Sequence, residues 1–312
     1  MANYVRISTL GPPFRMENPG TGQAAVDQTI AFWKTELAQV LPERPDLILL
    51  PEACDRYQVH TREESLAYYR TRGNQILDFF ADVAQKHKCH IAYSAAREMP
   101  DGTWRNSTQI IGRDGQVLGI YNKNHVVITE TEEGGILCGT NAQVIDCDFG
   151  RVGCAICFDL NFDEIRLKYV KSRPDLILFS SMYHGGLMQG YWAYSCRAHF
   201  VTAVARLPCS ILSPLGHVIA SSTNYFDFVT ATVNLDCKVA HLDFNREKLA
   251  ALKAKYGPQV SIFDPGYLAS VLVTSETHER SSAEMIEEFE IELLDDYMQR
   301  SLAHHHNPKN RG

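Results

Sequence analysis

No stretch of the 312-residue sequence is apolar for long enough to cross a bilayer. The opening "MANYVRISTL" has no basic region followed by an apolar core, so a secretory leader is not expected and the chain is assigned to the cytoplasm. Positive charge is scarce: 30 Lys and Arg stand against 37 Asp and Glu, a formal net charge of −7. That balance argues against nucleic acid and anionic membrane surfaces as general partners. No phosphate-cradling glycine loop or dinucleotide fingerprint occurs, so no nucleotide or flavin cofactor is expected. Cysteine, by contrast, is plentiful. The nine cysteines are odd in number and scattered through strand-like segments, which reads as reduced thiols and not as a disulfide framework. His304, His305 and His306 lie in an acidic tail where no cysteine or carboxylate is spaced to complete a metal site, so no metal is expected.

With 45% apolar residues, the chain can fill one large core or two ordinary ones. Strand and helix patterns alternate along it. "YVRIST" (4–9) reads as a strand. Ala25, Ile30, Trp33, Leu37 and Val40 recur at near-helical spacing, which predicts a helix over 23–41. "DLILL" (46–50) and "DLILFSS" (175–181) are continuous apolar runs, as in strands covered on both faces. A single long amphipathic helix is expected over 63–87. The segment 106–123 carries Asp114-Gly115, a hairpin signal, and a second hairpin is expected around Gly150. Helices are expected at 163–172 and at about 188–200, with strands following. "RPDLILLPEA" (44–53) echoes "RPDLILFSSM" (173–182), which suggests a pseudo-symmetric pair of sheets. From 276 onward the chain is acidic and opens on a capping-box pattern, Ser281 to Glu284. We expect an appended helix and tail there, used for subunit contact.

The residues that could do chemistry sit at strand ends. "RVGCAICFDLNF" (151–162) is a strand that finishes in a thiol beside polar residues. Cys154 and Cys157 match the redox spelling C-x-x-C, but an odd separation on a strand points them to opposite faces. Glu52 ends its strand after "LILLP"; Lys123 and His125 follow another. The carboxyl ends of strands are where α/β folds place reactive groups. A nucleophilic cysteine needs a base, and a carbonyl substrate needs an oxyanion partner. Taken one at a time, each residue also has an inert reading: a loop carboxylate, a turn lysine, a core cysteine.

Together, "LILLPEA", "GIYNKNH" preceded by "NSTQIIGRDGQVLG", and "GRVGCAICFDLNFDEIR" fall in the order and at the intervals of the carbon–nitrogen hydrolase (nitrilase-like) family. The chain resembles that family from about residue 4 to about 273. The resemblance implies a four-layer α-β-β-α sandwich over 1–275, with residues 276–312 as the appended C-terminal helix and tail, and assembly into homodimers or larger homo-oligomers. It also implies Glu52 as general base, Lys123 as oxyanion partner and Cys157 as nucleophile. Many members carry a second glutamate. Counting back from Gly139 favours Glu132 among Glu130, Glu132 and Glu133. Two departures stand out. Asp163 replaces a proline, and "RAHFV" (197–201) has Phe200 where the family usually has an acid.

The resemblance further implies that the backbone N–H of Phe158 joins Lys123 in holding the oxyanion, with hydrolysis proceeding through a thioester on Cys157. "FDLNF" after the cysteine is closer to the amidase and carbamoylase branches, so a small linear amide or an N-carbamoyl amine is the expected substrate. Tyr183, His184 and Arg166 are candidate substrate contacts, each with a packing role as the alternative; Arg97 and Met182 are further ones. A nitrilase is the runner-up, and a non-catalytic binding or scaffold protein is the reading from another class. A papain-like protease is disfavoured, because the cysteine ends a strand and does not start a helix.

Overall fold

The computed structural model of the protein describes residues 1–13, 21–56 and 61–311. The chain divides into two compact units, Val5–Val233 and Met1–Tyr4 with Asn234–Gly312. In chain order the first holds β1 (Tyr4–Leu10), α1 (Gln23–Val40), β2 (Leu47–Leu49), α2 (Arg62–Arg72), α3 (Gln75–His87), β3 (His90–Glu98), β4 (Trp104–Ile111) and β5 (Val117–Asn122). It continues with α4 (Ile128–Glu132), β6 (Ile145–Cys147), β7 (Gly150–Ile156), α5 (Asp163–Ser172), β8 (Leu176–Ser181), α6 (Leu187–Cys196), β9 (His199–Val204), β10 (Ser210–Leu212), β11 (Val218–Ser221) and β12 (Phe228–Asn234).

These strands form two six-stranded sheets, in the orders β12-β1-β2-β3-β4-β5 and β11-β10-β9-β8-β7-β6. β1, β2 and β3 run parallel, then β4 and β5 return antiparallel. β7, β8 and β9 repeat the parallel trio, and β10 and β11 the antiparallel pair. The echo seen in the sequence therefore marks equivalent strands: Ile7 pairs with Leu47 in one sheet as Val152 pairs with Leu176 in the other. The sheets face each other. Thr9 Oγ1 donates to the Thr202 carbonyl at 2.7 Å, and Ser180 Oγ to the Leu50 carbonyl at 2.8 Å. Parallel strands with helices on their outer faces are buried on both sides, which is why β2 is apolar throughout and β8 is apolar up to its two closing serines. The architecture is an α-β-β-α sandwich.

Trp33, Phe80 and Tyr93 lead the core between the first sheet and α1 and α3. On the other flank Tyr169, Trp192 and Phe200 stack edge-on between the second sheet and α5 and α6. Phe200 is fully buried there, which explains the absence of an acid at that position: its side chain belongs to an apolar layer. The single long helix expected over 63–87 is two. Gly73, at φ 49° and ψ −125°, ends α2, and α3 starts afresh at Gln75. The apolar period continues across the break, so periodicity alone joined them.

The second unit contains β13 (Cys237–His241), α7 (Arg246–Tyr256), β14 (Val260–Phe263), β15 (Ser270–Ser275), α8 (Ser282–Glu288) and α9 (Leu294–His306), with a three-stranded sheet in the order β13-β15-β14. Met285 and Ile286 of α8 are buried in its core. Ser281 caps α8 as its sequence suggested: Ser281 Oγ accepts from Glu284 N at 3.2 Å, and the Glu284 carboxylate accepts from Ser281 N at 2.7 Å. Among the described residues no helix is long and apolar enough to cross a membrane, and no cluster of three or more His, Cys, Asp or Glu could hold a metal ion.

Candidate active site

Glu52 lies in the turn after β2 and is 4% exposed. Residues 53–55 just beyond it are tightly held. Ala53 takes a left-handed φ of 46°. Trp33 Nε1 donates to the Cys54 carbonyl at 2.6 Å, and Arg72 and Tyr93 grip the Asp55 carboxylate at 2.6 Å and 2.5 Å. Lys123 follows β5 directly. Its ammonium donates to Glu52 Oε1 at 2.9 Å and to Glu130 Oε2 at 2.6 Å. Only 1% of Lys123 is exposed. Burial works against its charge, but the two carboxylates outweigh burial and hold its pKa above the usual lysine range.

Cys157 opens the short turn Cys157–Asn161 that ends β7. Its own φ is 48°, a left-handed conformation that costs a residue with a Cβ about 1 kcal/mol or more. Strain of this kind aims a side chain out of the plane of its strand. Glu52, Lys123 and the backbone of Met182 are the groups that act on the thiol. Burial first, then the charge of Glu52, pushes it up to about 11; the ammonium and the backbone bond pull the other way without winning. At neutral pH this is a thiol beside a carboxylate, not a preformed thiolate. Glu52, Lys123 and Cys157 thus converge although 71 residues separate the first two. All nine cysteines are free, and Cys154 is buried with Tyr169 bonded to its backbone.

The second glutamate of the cluster is Glu130, and the sequence-based choice of Glu132 is corrected. Glu130 accepts from Lys123, from Val127 N at 2.8 Å and from Asn106 Nδ2 at 3.1 Å. Glu132 is exposed to solvent. Two residues along a helix is a little over half a turn, so the side chains at 130 and 132 in α4 face opposite ways.

Asn106 is a site residue the sequence reading missed. Its Nδ2 donates to Glu52 Oε1 at 2.8 Å as well as to Glu130, so one amide spans both carboxylates. The available signal was a polar residue among apolar ones at the start of β4. Asp159 was missed too. It is fully buried and accepts from Tyr121, His125 and Ile156.

Tyr183 accepts from Asn161 Nδ2 at 3.1 Å, and its phenol is pushed up to about 12, chiefly by burial and with Cys157 contributing. Phe158 stands next to Cys157, 36% exposed, its ring edge-on to Phe162 at 5.1 Å. His184 Nδ1 accepts from Gly186 N at 3.2 Å and its carbonyl from Gln189, so it braces the loop entering α6. Arg166 departs from expectation. Its guanidinium pairs with Asp163 at 2.9 Å and stacks 4.5 Å above Tyr191, so the cation is spent between α5 and α6 and is not offered to a substrate. Arg97, near the end of β3, donates to Met99 Sδ just past the strand at 3.0 Å. A cavity of about 610 Å³ adjoins the cluster, with Ala53, Asn106, Glu130, Arg62 and Tyr69 among its lining residues.

A family model described as carbon-nitrogen hydrolase matches residues 17–236. The nitrilase and fragile histidine triad fusion protein NitFhit of Drosophila melanogaster is 22% identical over 214 residues, which cover 61% of this chain and 46% of that protein. The chloroplastic omega-amidase of Arabidopsis thaliana is 21% identical over 274 residues, covering 76% of this chain and 73% of the amidase. The chain therefore spans less than half the length of the first relative and about three quarters of the second. In fold, the crystal structure of the C. elegans NitFhit protein matches with a TM-score of 0.66 at 17% identity, over 98% of this chain and 88% of that one.

Proposed function

Because the chain belongs to the carbon-nitrogen hydrolase family, we propose that it hydrolyses a non-peptide C–N bond, in a small linear amide or an N-carbamoyl amine, through a thioester on Cys157. The observation that carries this reading is the convergence of Glu52, Lys123 and Cys157 in one buried cluster. Glu52 takes the thiol proton as Sγ attacks the carbonyl carbon. Transfer during attack suits a thiol whose ionisation is otherwise pushed up to about 11. Lys123, held charged by two carboxylates, stabilises the developing oxyanion together with the Phe158 N–H. The C–N bond breaks as Glu52 passes its proton to the departing ammonia or amine. Water, deprotonated by Glu52, then attacks the thioester. This releases the acid, and the proton returns to sulfur. Glu130 and Asn106 keep Lys123 and Glu52 in place, and Tyr183 and Phe158 border the substrate beside the thiol.

An amide is favoured over a nitrile because an omega-amidase is among the relatives. A homodimer or larger assembly is part of the proposal. Apolar Leu167, Leu187 and Tyr191, exposed on α5 and α6, support it, and light scattering tests it. We also assign the reaction to residues 1–275 and subunit contact to residues 276–312.

The deciding experiment is ammonia release from amides, N-carbamoyl amines and nitriles, run beside Cys157→Ala. Release from an amide or carbamoyl compound that the variant abolishes supports the proposal. Release from nitriles alone would select the nitrilase reading. No release, together with no adduct at Cys157 from a thiol-directed acylating reagent, would leave a binding protein.

A further inference from the structure

Lys123 and Cys157 come from different sheets: β5 closes the first, and β7 belongs to the second. Strand ladders fix spacing within a sheet to tenths of an ångström. Between sheets it is set by side-chain packing and a few side-chain hydrogen bonds, across about 10 Å. A reaction that needs an ammonium and a sulfur within one substrate's reach therefore needs a dedicated tie between the two.

We propose that Asp159 is that tie, a positioning residue that holds the lysine segment against the cysteine turn; this rests on the reading of Cys157 as nucleophile. Asp159 is fully buried. Its Oδ2 accepts from Tyr121 Oη at 2.7 Å and from Ile156 N at 3.0 Å. Its Oδ1 accepts from His125 N at 2.7 Å and from His125 Nδ1 at 3.2 Å. Tyr121 and His125 lie two residues before and two after Lys123. Ile156 immediately precedes Cys157, and Asp159 itself lies two beyond it. One carboxylate thus closes a loop of hydrogen bonds through both reacting segments. His125 is further fixed by stacking on Phe162 at 3.9 Å, in the turn that follows the nucleophile. A buried carboxylate is costly unless its oxygens are satisfied, and here all its donors come from the two segments that must be registered.

Asp159→Asn tests the tie without changing volume. An amide offers one acceptor oxygen where the carboxylate offered two. Its NH₂ must therefore face either the Ile156 N–H or the His125 N–H, and that side of the tie opens. The predicted result is a kcat about thirtyfold lower with KM changed by less than about threefold, since a small misplacement of reacting groups costs one to two orders of magnitude. Iodoacetamide alkylation of Cys157, scaled to exposed Cys138 in the same chain, shifts by about threefold or more. The comparison variant is Tyr169→Phe, which removes a buried hydroxyl bonded to Cys154 N and O in the same strand. It lowers Tm but leaves kcat and the alkylation ratio within about twofold, as expected of a bond outside the tie.

If Asp159→Asn changes kcat and alkylation no more than Tyr169→Phe does at a similar loss of Tm, the tie is refuted. If Asp159→Asn does not fold, Tyr121→Phe removes one of the four donors, and wild-type kcat in that variant refutes the tie equally. Failure of the underlying reading looks different: Cys157→Ala, and the wild-type chain alkylated at Cys157, would both keep wild-type activity.

Discussion

Glu52→Gln should make Cys157 easier to alkylate while abolishing turnover. Glutamine has the size of glutamate and keeps an oxygen for the Lys123 ammonium, so the cluster stays filled. What it loses is one negative charge that acts on the thiol. That charge is the second cause, after burial, of the rise of Cys157 from 9.0 to about 11. Lys123 and the Met182 backbone then act on the thiol against burial alone. A like charge at hydrogen-bond range shifts a titrating group by about one unit or more. One unit gives about tenfold more thiolate at pH 8. Each thiolate is about threefold less nucleophilic, because reactivity falls with basicity at a Brønsted slope near 0.4–0.5. The net gain in alkylation is about threefold. Hydrolysis loses its general base, which costs about 10²- to 10⁴-fold. Iodoacetamide labelling read by peptide mass, with Cys138 as internal reference, measures the first quantity, and ammonia release measures the second. If alkylation and turnover fall together, Glu52 lowers the resting thiol's pKa and the proton-transfer scheme above is wrong.

Exchange of the acidic residues on α4 separates the two candidates. Glu130→Gln removes one carboxylate from Lys123 and is expected to lower kcat about tenfold or more, whereas Glu132→Gln, on the solvent face, stays within about twofold in the same assay. His199 is buried on β9 and, through burial, is lowered from 6.5 to about 4. Its neutral form is favoured in the fold, so stability is complete above the unfolded value near 6.5 and falls as the pH drops toward 4, by about 3 kcal/mol in all. Denaturant titrations at pH 7.5 and pH 4.5 should record this loss, and His199→Gln should flatten the difference; an unchanged pH dependence in that variant would refute the assignment.

The candidate site was legible where it was local. Glu52, Lys123 and Cys157 each end a strand within a short contiguous motif, and the geometry brings those three together. Glu130 was ambiguous because two acids sit in a five-residue helix and a third caps it, and only the phase of that helix selects among them. Asn106 and Asp159 stayed hidden because their meaning lies in partners far along the chain; Asn106 and Glu52 are 54 residues apart. Arg166 was read from position alone, and its nearest partner, Asp163, absorbs it. The break at Gly73 was invisible because a helix that stops and restarts on the same face keeps its apolar stripe. Phe200 looked like a defect in a motif, and it is a core residue whose neighbours are aromatic.

The doubled sheet arrangement has one further consequence. By strand register the position equivalent to Cys157 in the other half is Pro12, reached through Gly11, and the position equivalent to Glu52 is Ser181. Proline is fixed near φ −65° and cannot make the left-handed turn that Cys157 makes. A side chain at Gly11 would begin 2.2 Å from the Val204 carbonyl oxygen. The architecture is near-symmetric, but its reactivity is handed. One half is shaped to fire and the other to stay inert, so grafting a cysteine and a glutamate onto the mirrored positions would not produce a second working centre.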